Sequence, residues 1–261
     1  MFNGNMVTEA IPARVFALYN AVSRQGSIAR SDLQKMLEPE NISGNTSYFS
    51  PILNTAVELR LVEVKENTVK SIVDRKELKN MNDLRRITTK MINSFESEQF
   101  FRVTRALLGM DEKVYAYTSI SDGDMIRYLS DKLKQTITAP MIRGWRFWAQ
   151  FIGIGYMHDM SFLPNAYVFA KDVISLMELE VNEEMTMDDF MISFNKYGKI
   201  ATDSLKGDYT INMALSNGLR QLHDNDELRL IYKNDQPSRW ALYPSKQAFN
   251  KPVTSVLYKG I

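Results

Sequence analysis

The chain has two histidines, each followed by an aspartate: His158-Asp159 in YMHDM and His223-Asp224 in QLHDN. A histidine oriented by a carboxylate is the material of general acid–base catalysis. Adjacent residues point in different directions on most backbones, and no nucleophile motif accompanies either pair. A zinc site would need both histidines and distant carboxylates to converge. GIGY at Gly153–Tyr156 lacks the third glycine, the preceding strand and the acidic residue of a dinucleotide fingerprint, and no Gly-Lys-Ser/Thr loop exists. SISDGDM offers Asp122 and Asp124 to a cation, but a helix N-terminus calls for the same residues as caps. With no cysteine, thiol catalysis, disulfides and cysteine-based zinc are excluded. The expectation is a protein that is not an enzyme, with no catalytic residue, metal or cofactor.

Nucleic-acid chemistry has two sources. WRFW sets Trp145 and Trp148 beside Arg143 and Arg146, a pairing suited to stacking on bases. Residues three apart share a helix face, and Phe147, Phe151, Ile152 and Ile154 surround them, so a tryptophan stripe in the core is expected. The other source is cations on short ribbons, whose value depends on the elements that carry them.

The first such ribbon follows a helix directly. In NTAVELRLVEVKENTVKSIVD, Asn54–Asp74, helical spacing gives way without a loop to two short strands around Lys65-Glu66-Asn67. Upstream, Ile11, Val15, Leu18, Tyr19 and Val22 mark a first helix ending near Gly26, and Ser31 starts a short second helix that Pro39 ends. A third helix runs from about Thr46 to Leu59, with Pro51 in its first turn or Ser50 as its cap. Three helices followed by a hairpin is the winged helix-turn-helix order, with the third helix in the recognition position.

The C-terminal third repeats the order. MDDFMISFNKYG resembles a first helix ending at Gly198, and a later helix holds Ile211, Ala214, Leu215, Leu219 and Leu222. Strands at 228–232 and 239–243 follow. Between the two units, residues 76 to about 180 look helical, with a further helix from Pro164 to about Glu180. The expected fold is mainly α with small β-hairpin wings. It divides into a winged helix-turn-helix at 1–78, a helical linker domain at 79–180 and a winged-helix-like domain at 181–261.

On this reading the outward face of the third helix includes Thr46, Ser47, Asn54, Thr55 and Glu58, with Arg60 at its end; Asn can pair with adenine. Lys65, Lys70, Arg75 and Lys76 supply the wing. In the second unit the candidates are Asn212, Ser216, Asn217 and Arg220 on the helix, then Lys233 and Arg239 on the wing. The candidate DNA contacts are therefore Asn54, Arg60, Lys65, Lys70, Arg75, Asn212, Arg220, Lys233 and Arg239.

Charge does not decide the partner. Residues 1–75 hold 8 basic and 8 acidic side chains, 76–180 hold 14 and 13, and 181–261 hold 10 and 10, so no third carries the footprint of an autonomous DNA binder. Winged helices also dock proteins. No apolar run is long enough to span a membrane, and MFNGNMVTEAIPAR lacks the pattern of a secretory leader, so a cytoplasmic protein with no membrane partner is expected.

Three passages together resemble the DpdG-like proteins: IPARVFALYNAVSRQGSIARSDLQKML, LNTAVELRLVEVKENTVKSI and WRFWAQFIGIG with the later FLPNAYVFAKDVI. The resemblance rests on pattern and order. Such proteins are encoded in bacterial clusters that insert 7-deazaguanine bases into DNA and restrict foreign DNA. The resemblance implies anti-phage defence in the bacterial cytoplasm, inside a multi-protein assembly with helicase or nuclease partners; it carries over no catalytic residue. The expected function is non-enzymatic: binding double-stranded DNA, or scaffolding the other proteins of the complex on it. The alternative is an adaptor without DNA contact, resembling the tandem winged-helix subunits of SMC-type complexes.

Overall fold

The structure, a computed structural model, describes residues 1–39, 47–202, 209–246 and 249–261. The first helix, α1 (Pro12–Gln25), carries Pro12 in its first turn and buries Val15, Leu18, Tyr19 and Val22. It ends at Gly26, whose φ of 74° is open to glycine and costly for other residues. A three-residue strand, β1 (Ser27–Ala29), precedes α2 (Arg30–Leu37). Then come α3 (Phe49–Glu58), β2 (Val62–Lys65) and β3 (Thr68–Ser71). The sheet order is β1–β3–β2, antiparallel throughout, with Val69 facing Ile28 on one side and Val64 on the other. At three residues, β1 is too short to show a period in sequence.

Pro51 sits in the first turn of α3, as its spacing suggests. The helix is not capped by Ser50. The buried carboxylate of Glu38 accepts from the backbone N–H of Phe49 at 2.7 Å and also from that of Tyr48, placing negative charge at the positive end of the helix. Thr46 lies outside the described residues.

In the middle region, α4 (Met81–Met91) opens on a capping box between Asn80 and Asp83 and runs into a 3-10 turn at Ile92–Phe95. Next come α5 (Gln99–Leu108), a 3-10 turn at Asp111–Ala116, α6 (Gly123–Leu133) and α7 (Ala139–Phe151). The region is not helical throughout. The chain leaves α7 at Gly153, with φ of 75°, and forms a hairpin from β4 (Gly155–His158) and β5 (Ser161–Pro164). A Cβ at Gly155 would lie 2.5 Å from the Phe162 ring, so this glycine lets the buried ring fold back onto the hairpin. The continuous apolar run hides this strand, because a buried segment shows no polar face by which to count its period.

The C-terminal region holds α8 (Tyr167–Leu176), β6 (Glu184–Thr186), α9 (Met187–Thr202), α10 (Met213–Asp224), β7 (Leu228–Ile231) and β8 (Ser255–Tyr258). Gly198 has non-helical dihedrals, so the first helical segment ends there as expected, and a second continues beyond it. The glycine kinks α9, and a Cβ there would lie 2.2 Å from the Phe194 ring. The strand expected at 239–243 is not the partner of β7. That partner is β8, and the sheet order is β6–β8–β7. Trp240 bridges to Val253 and Ala241 to Thr210, and the Trp240 indole donates to Asp188 at 2.7 Å. This anchor holds the intervening chain on α9 and leaves the centre of the sheet to β8, with Val256 buried there.

Among the described residues the order α8–β6–α9–α10–β7–β8 matches α1–β1–α2–α3–β2–β3, including the pairing of the first strand with the last. In this order α8 holds the place that α1 holds in the first unit. It packs against α10, with Gly218 so close to Ala166 that a Cβ would lie 2.7 Å from the Ala166 carbonyl carbon. Arg85 of α4 ties α8 to the middle region through a two-point ion pair with buried Asp172, at 2.5 and 3.1 Å. One continuous apolar cluster runs through all three regions. The protein is mainly helical with small antiparallel sheets.

Candidate nucleic-acid interface

The junction that joins helix to strand without a loop is a Schellman motif. Arg60 N–H donates to Val57 O at 2.9 Å and Leu61 N–H to Ala56 O at 2.9 Å, with Arg60 left-handed at φ 53°. Glycine normally takes that position, and a side-chain-bearing residue there costs roughly 1–2 kcal/mol. Leu59, Leu61 and Val62 are buried, so the turn delivers β2 directly beneath α3 while Arg60 points into solvent.

Along α3, Asn54 and Val57 are exposed, as is Ser47 just before the helix. Thr55 does not face out. It is buried and its hydroxyl donates to Pro51 O at 2.9 Å. Glu58 is occupied, its carboxylate accepting from Phe2 N–H at 2.8 Å. On the ribbon Lys65, Lys70, Arg75 and Lys76 are all exposed. Glu63 stands opposite Lys70 across the strands and 2.9 Å from Lys65, so part of the ribbon's positive charge is neutralised in place. Between α3 and the ribbon lies an open cleft of about 430 Å³ lined by Arg30, Asn54, Val57 and Val64. Arg30 was missed in the sequence. It reaches this face because its backbone N–H bonds Asn67 O at 2.8 Å, a contact that depends on the unanticipated β1.

The second unit differs at the corresponding helix. Asn212 is buried and caps α10, accepting from Leu215 N–H at 3.0 Å and donating to Ala201 O at 2.6 Å. Arg220 is 4% exposed and donates to Phe249 O at 2.8 Å and Tyr243 O at 2.6 Å; burial lowers its pKa from the usual value. Ser216 is buried and Asn217 donates to Pro164 O. Asn212 and Arg220 are thus both buried and engaged within the protein, Arg220 beneath the chain after β7. Lys233 is ion-paired with Glu184. Arg239 remains exposed, bonded to Asn234 O at 3.1 Å and lying over the Tyr232 ring.

The other candidates resolve locally. Trp145 and Trp148 are wholly buried, with their indole N–H groups on Thr104 Oγ1 and Ala10 O, so neither stacks on a base. His158 stands exposed at the end of β4, and His223 accepts from Leu230 N–H at 3.2 Å in the last turn of α10. Asp122 caps α6 through Met125 N–H at 2.8 Å, and Asp124 pairs with Arg127. Among the described residues no helix is long and apolar enough to cross a membrane, and no group of three or more His, Asp or Glu is placed to hold a metal.

A family model described as DpdG-like matches residues 5–236. No curated protein and no solved structure matches the chain.

Proposed function

The chain belongs to the DpdG-like family, and on that premise we propose that it serves the Dpd 7-deazaguanine DNA modification system as a non-enzymatic, DNA-associated component within a multi-protein assembly. The first unit is a winged helix in this reading. Its element order and the return of β1 onto β3 support that, with α3 as recognition helix and β2–β3 as wing. Asn54 and Arg60 face the major groove, and Lys65, Lys70 and Arg75 sit on phosphates. The second unit, with the same order but a covered α10, is a structural copy.

One observation carries the DNA reading. Arg60 occupies a left-handed position that glycine would fill at lower cost, and it is exposed at the end of α3, lining a cleft with Glu77 and Lys90 next to the one lined by Arg30 and Asn54. Backbone strain held at an exposed cation supports a use for that cation; the corresponding turn of the second unit holds an acid, Asp226, in the same conformation.

The experiment is duplex binding by fluorescence anisotropy across a salt series. Each phosphate neutralised adds about −0.9 to the slope of log affinity against log salt, so Lys65, Lys70 and Arg75 changed together to Gln should flatten it by about two to three units. Loss should be similar for all sequences, since phosphate contacts position without reading bases.

A second reading, docking of a partner protein on this face, is favoured by its apolar exposure: Val57 and Val64, which line the cleft, are 40% and 38% exposed. Absence of duplex binding even at low salt, or an unchanged slope in the triple variant, would replace the DNA reading with this adaptor.

A further inference from the structure

A small cleft opens where α7, the β4–β5 hairpin, α8 and α10 meet, away from α3 and its ribbon. Its volume is about 250 Å³, below the usual range for drug-sized ligands, so it suits a single ring system. Gly153, Gly155 and Tyr156 of the GIGY passage line it, with Gln150, Val168 and Gln221 around them. Packing accounts for the glycines: a Cβ at Gly153 would lie 2.5 Å from the Val168 Cβ, and one at Gly155 2.5 Å from the Phe162 ring. Gln150, Tyr156 and Gln221 are exposed, and their polar groups are what the cleft offers a ligand.

Both glutamines are oriented by a bond to one end of the amide. Gln150 Oε1 accepts from Met157 N–H at 3.2 Å, and a backbone N–H can only donate, so the oxygen must face it. Asn165 Oδ1 accepts from Tyr167 N–H at 2.9 Å, which turns its Nδ2 toward Gln221 Oε1 at 3.3 Å. With these oxygens engaged, the Nε2 group of each glutamine is left as a donor, and neither has a partner among the described residues. The Tyr156 ring is 52% exposed, and its hydroxyl makes no hydrogen bond among them either. Two amide donors and an aromatic face around one small concavity match a heteroaromatic ring that carries acceptors. Any base stacks through its π-face, and carboxamides read its edge. Guanine presents O6 and N7 as two acceptors on one edge, whereas adenine replaces one of them with the N6 donor.

We propose that this cleft binds a nucleobase, guanine in preference to adenine, carried either by a free nucleoside or by an unpaired position in single-stranded DNA. Gln150 and Gln221 donate to the edge of the base, Tyr156 stacks on its face, and Asn165 holds the Gln221 amide in place. The site shares no residue with α3 or the wing and is independent of the DNA reading given to them.

The test titrates guanosine and adenosine against the full chain, followed by ligand-observed NMR. Saturable binding of guanosine is expected, with adenosine about fivefold weaker or more. Gln150→Glu/Gln221→Glu keeps both acceptor oxygens and removes both donors, so guanosine affinity should fall about tenfold or more. Tyr156→Ala, at an exposed position, should lose about fivefold or more with the stack, and gives a second reading should the double variant fold poorly. Lys65→Gln should bind guanosine as the parent does, which separates this site from the wing. An oligothymidylate carrying one guanine then identifies the source. Preference for it over the same strand with adenine in that place, lost in the double variant, assigns the base to single-stranded DNA; no such preference assigns it to a free nucleoside. No saturable guanosine binding, equal affinity for the two nucleosides, or equal binding by the parent and both variants overturns the proposal.

Discussion

The indole N–H of Trp148 donates to the carbonyl of Ala10 at 2.7 Å, joining positions 138 apart in sequence. It holds the segment before α1 against α7. Phe2, wholly buried, lies in the same contact, with its ring 5.0, 5.0 and 4.9 Å from the rings of Phe95, Phe100 and Trp148. The first unit is thereby tied to the middle region through a segment outside its own helices. Phe2→Ala should cost about 3–5 kcal/mol, as for other buried phenylalanines. Urea unfolding of the full chain measures this, and an unchanged midpoint would show that the segment is not docked in solution.

Two glycines should respond in opposite senses to alanine. Within a helix the change usually gains roughly 0.5–1 kcal/mol. At Gly123, in the first turn of α6, a Cβ meets nothing within 4 Å and that gain should appear. At Gly218 it would meet the Ala166 backbone at 2.7 Å, so overpacking should turn the gain into a net loss of about 1–2 kcal/mol. Thermal midpoints of the two variants decide this; a stabilised Gly218→Ala would mean that α8 and α10 lie further apart.

The sheet of the second unit should carry an acid-sensitive contact. Glu184 is held below its ordinary pKa of 4.5, first by the hydrogen bond from Lys233 and then by that from Ser255. A carboxylate with a depressed folded value contributes stability above its unfolded value, lost as pH falls through the folded one. Glu184→Gln should therefore be less stable than the parent near neutral pH, with the deficit closing well below pH 4.5. The effect is small because both side chains are partly solvated. A deficit unchanged across that range would exclude the ion pair as its cause.

Arg60→Gly separates stability from binding. Glycine relieves the left-handed conformation at φ 53°, so the variant should be as stable as the parent or gain up to about 1 kcal/mol. Its duplex affinity should nevertheless fall several-fold, with a salt slope smaller by about one unit. Unfolding curves and anisotropy on the same preparations test both halves. A stabilised variant with parental affinity would remove Arg60 from the interface.

Much of this protein could be read from short-range pattern. The apolar spacing of α1 and the helix-to-ribbon passage at Asn54–Asp74 were legible, because a solvent-facing amphipathic element shows its period in its own residues. The tryptophans of α7 were legible as core for the same reason. Family membership was also within reach of the sequence. What the sequence left open was set by contacts between distant residues. β1 exists because β3 pairs with it, and β7 takes β8 as its partner across a long excursion anchored by Trp240 and Asp188. Asn212 and Arg220 look like surface polar residues in sequence, yet Asn212 is buried as the cap of α10 and the returning chain supplies backbone partners to both Arg220 and its neighbour Ser216. Burial of a polar group depends on what folds over it and on whether its hydrogen bonds are met there. Only the tertiary structure supplies that, and it is why α3 keeps an open face while α10 does not.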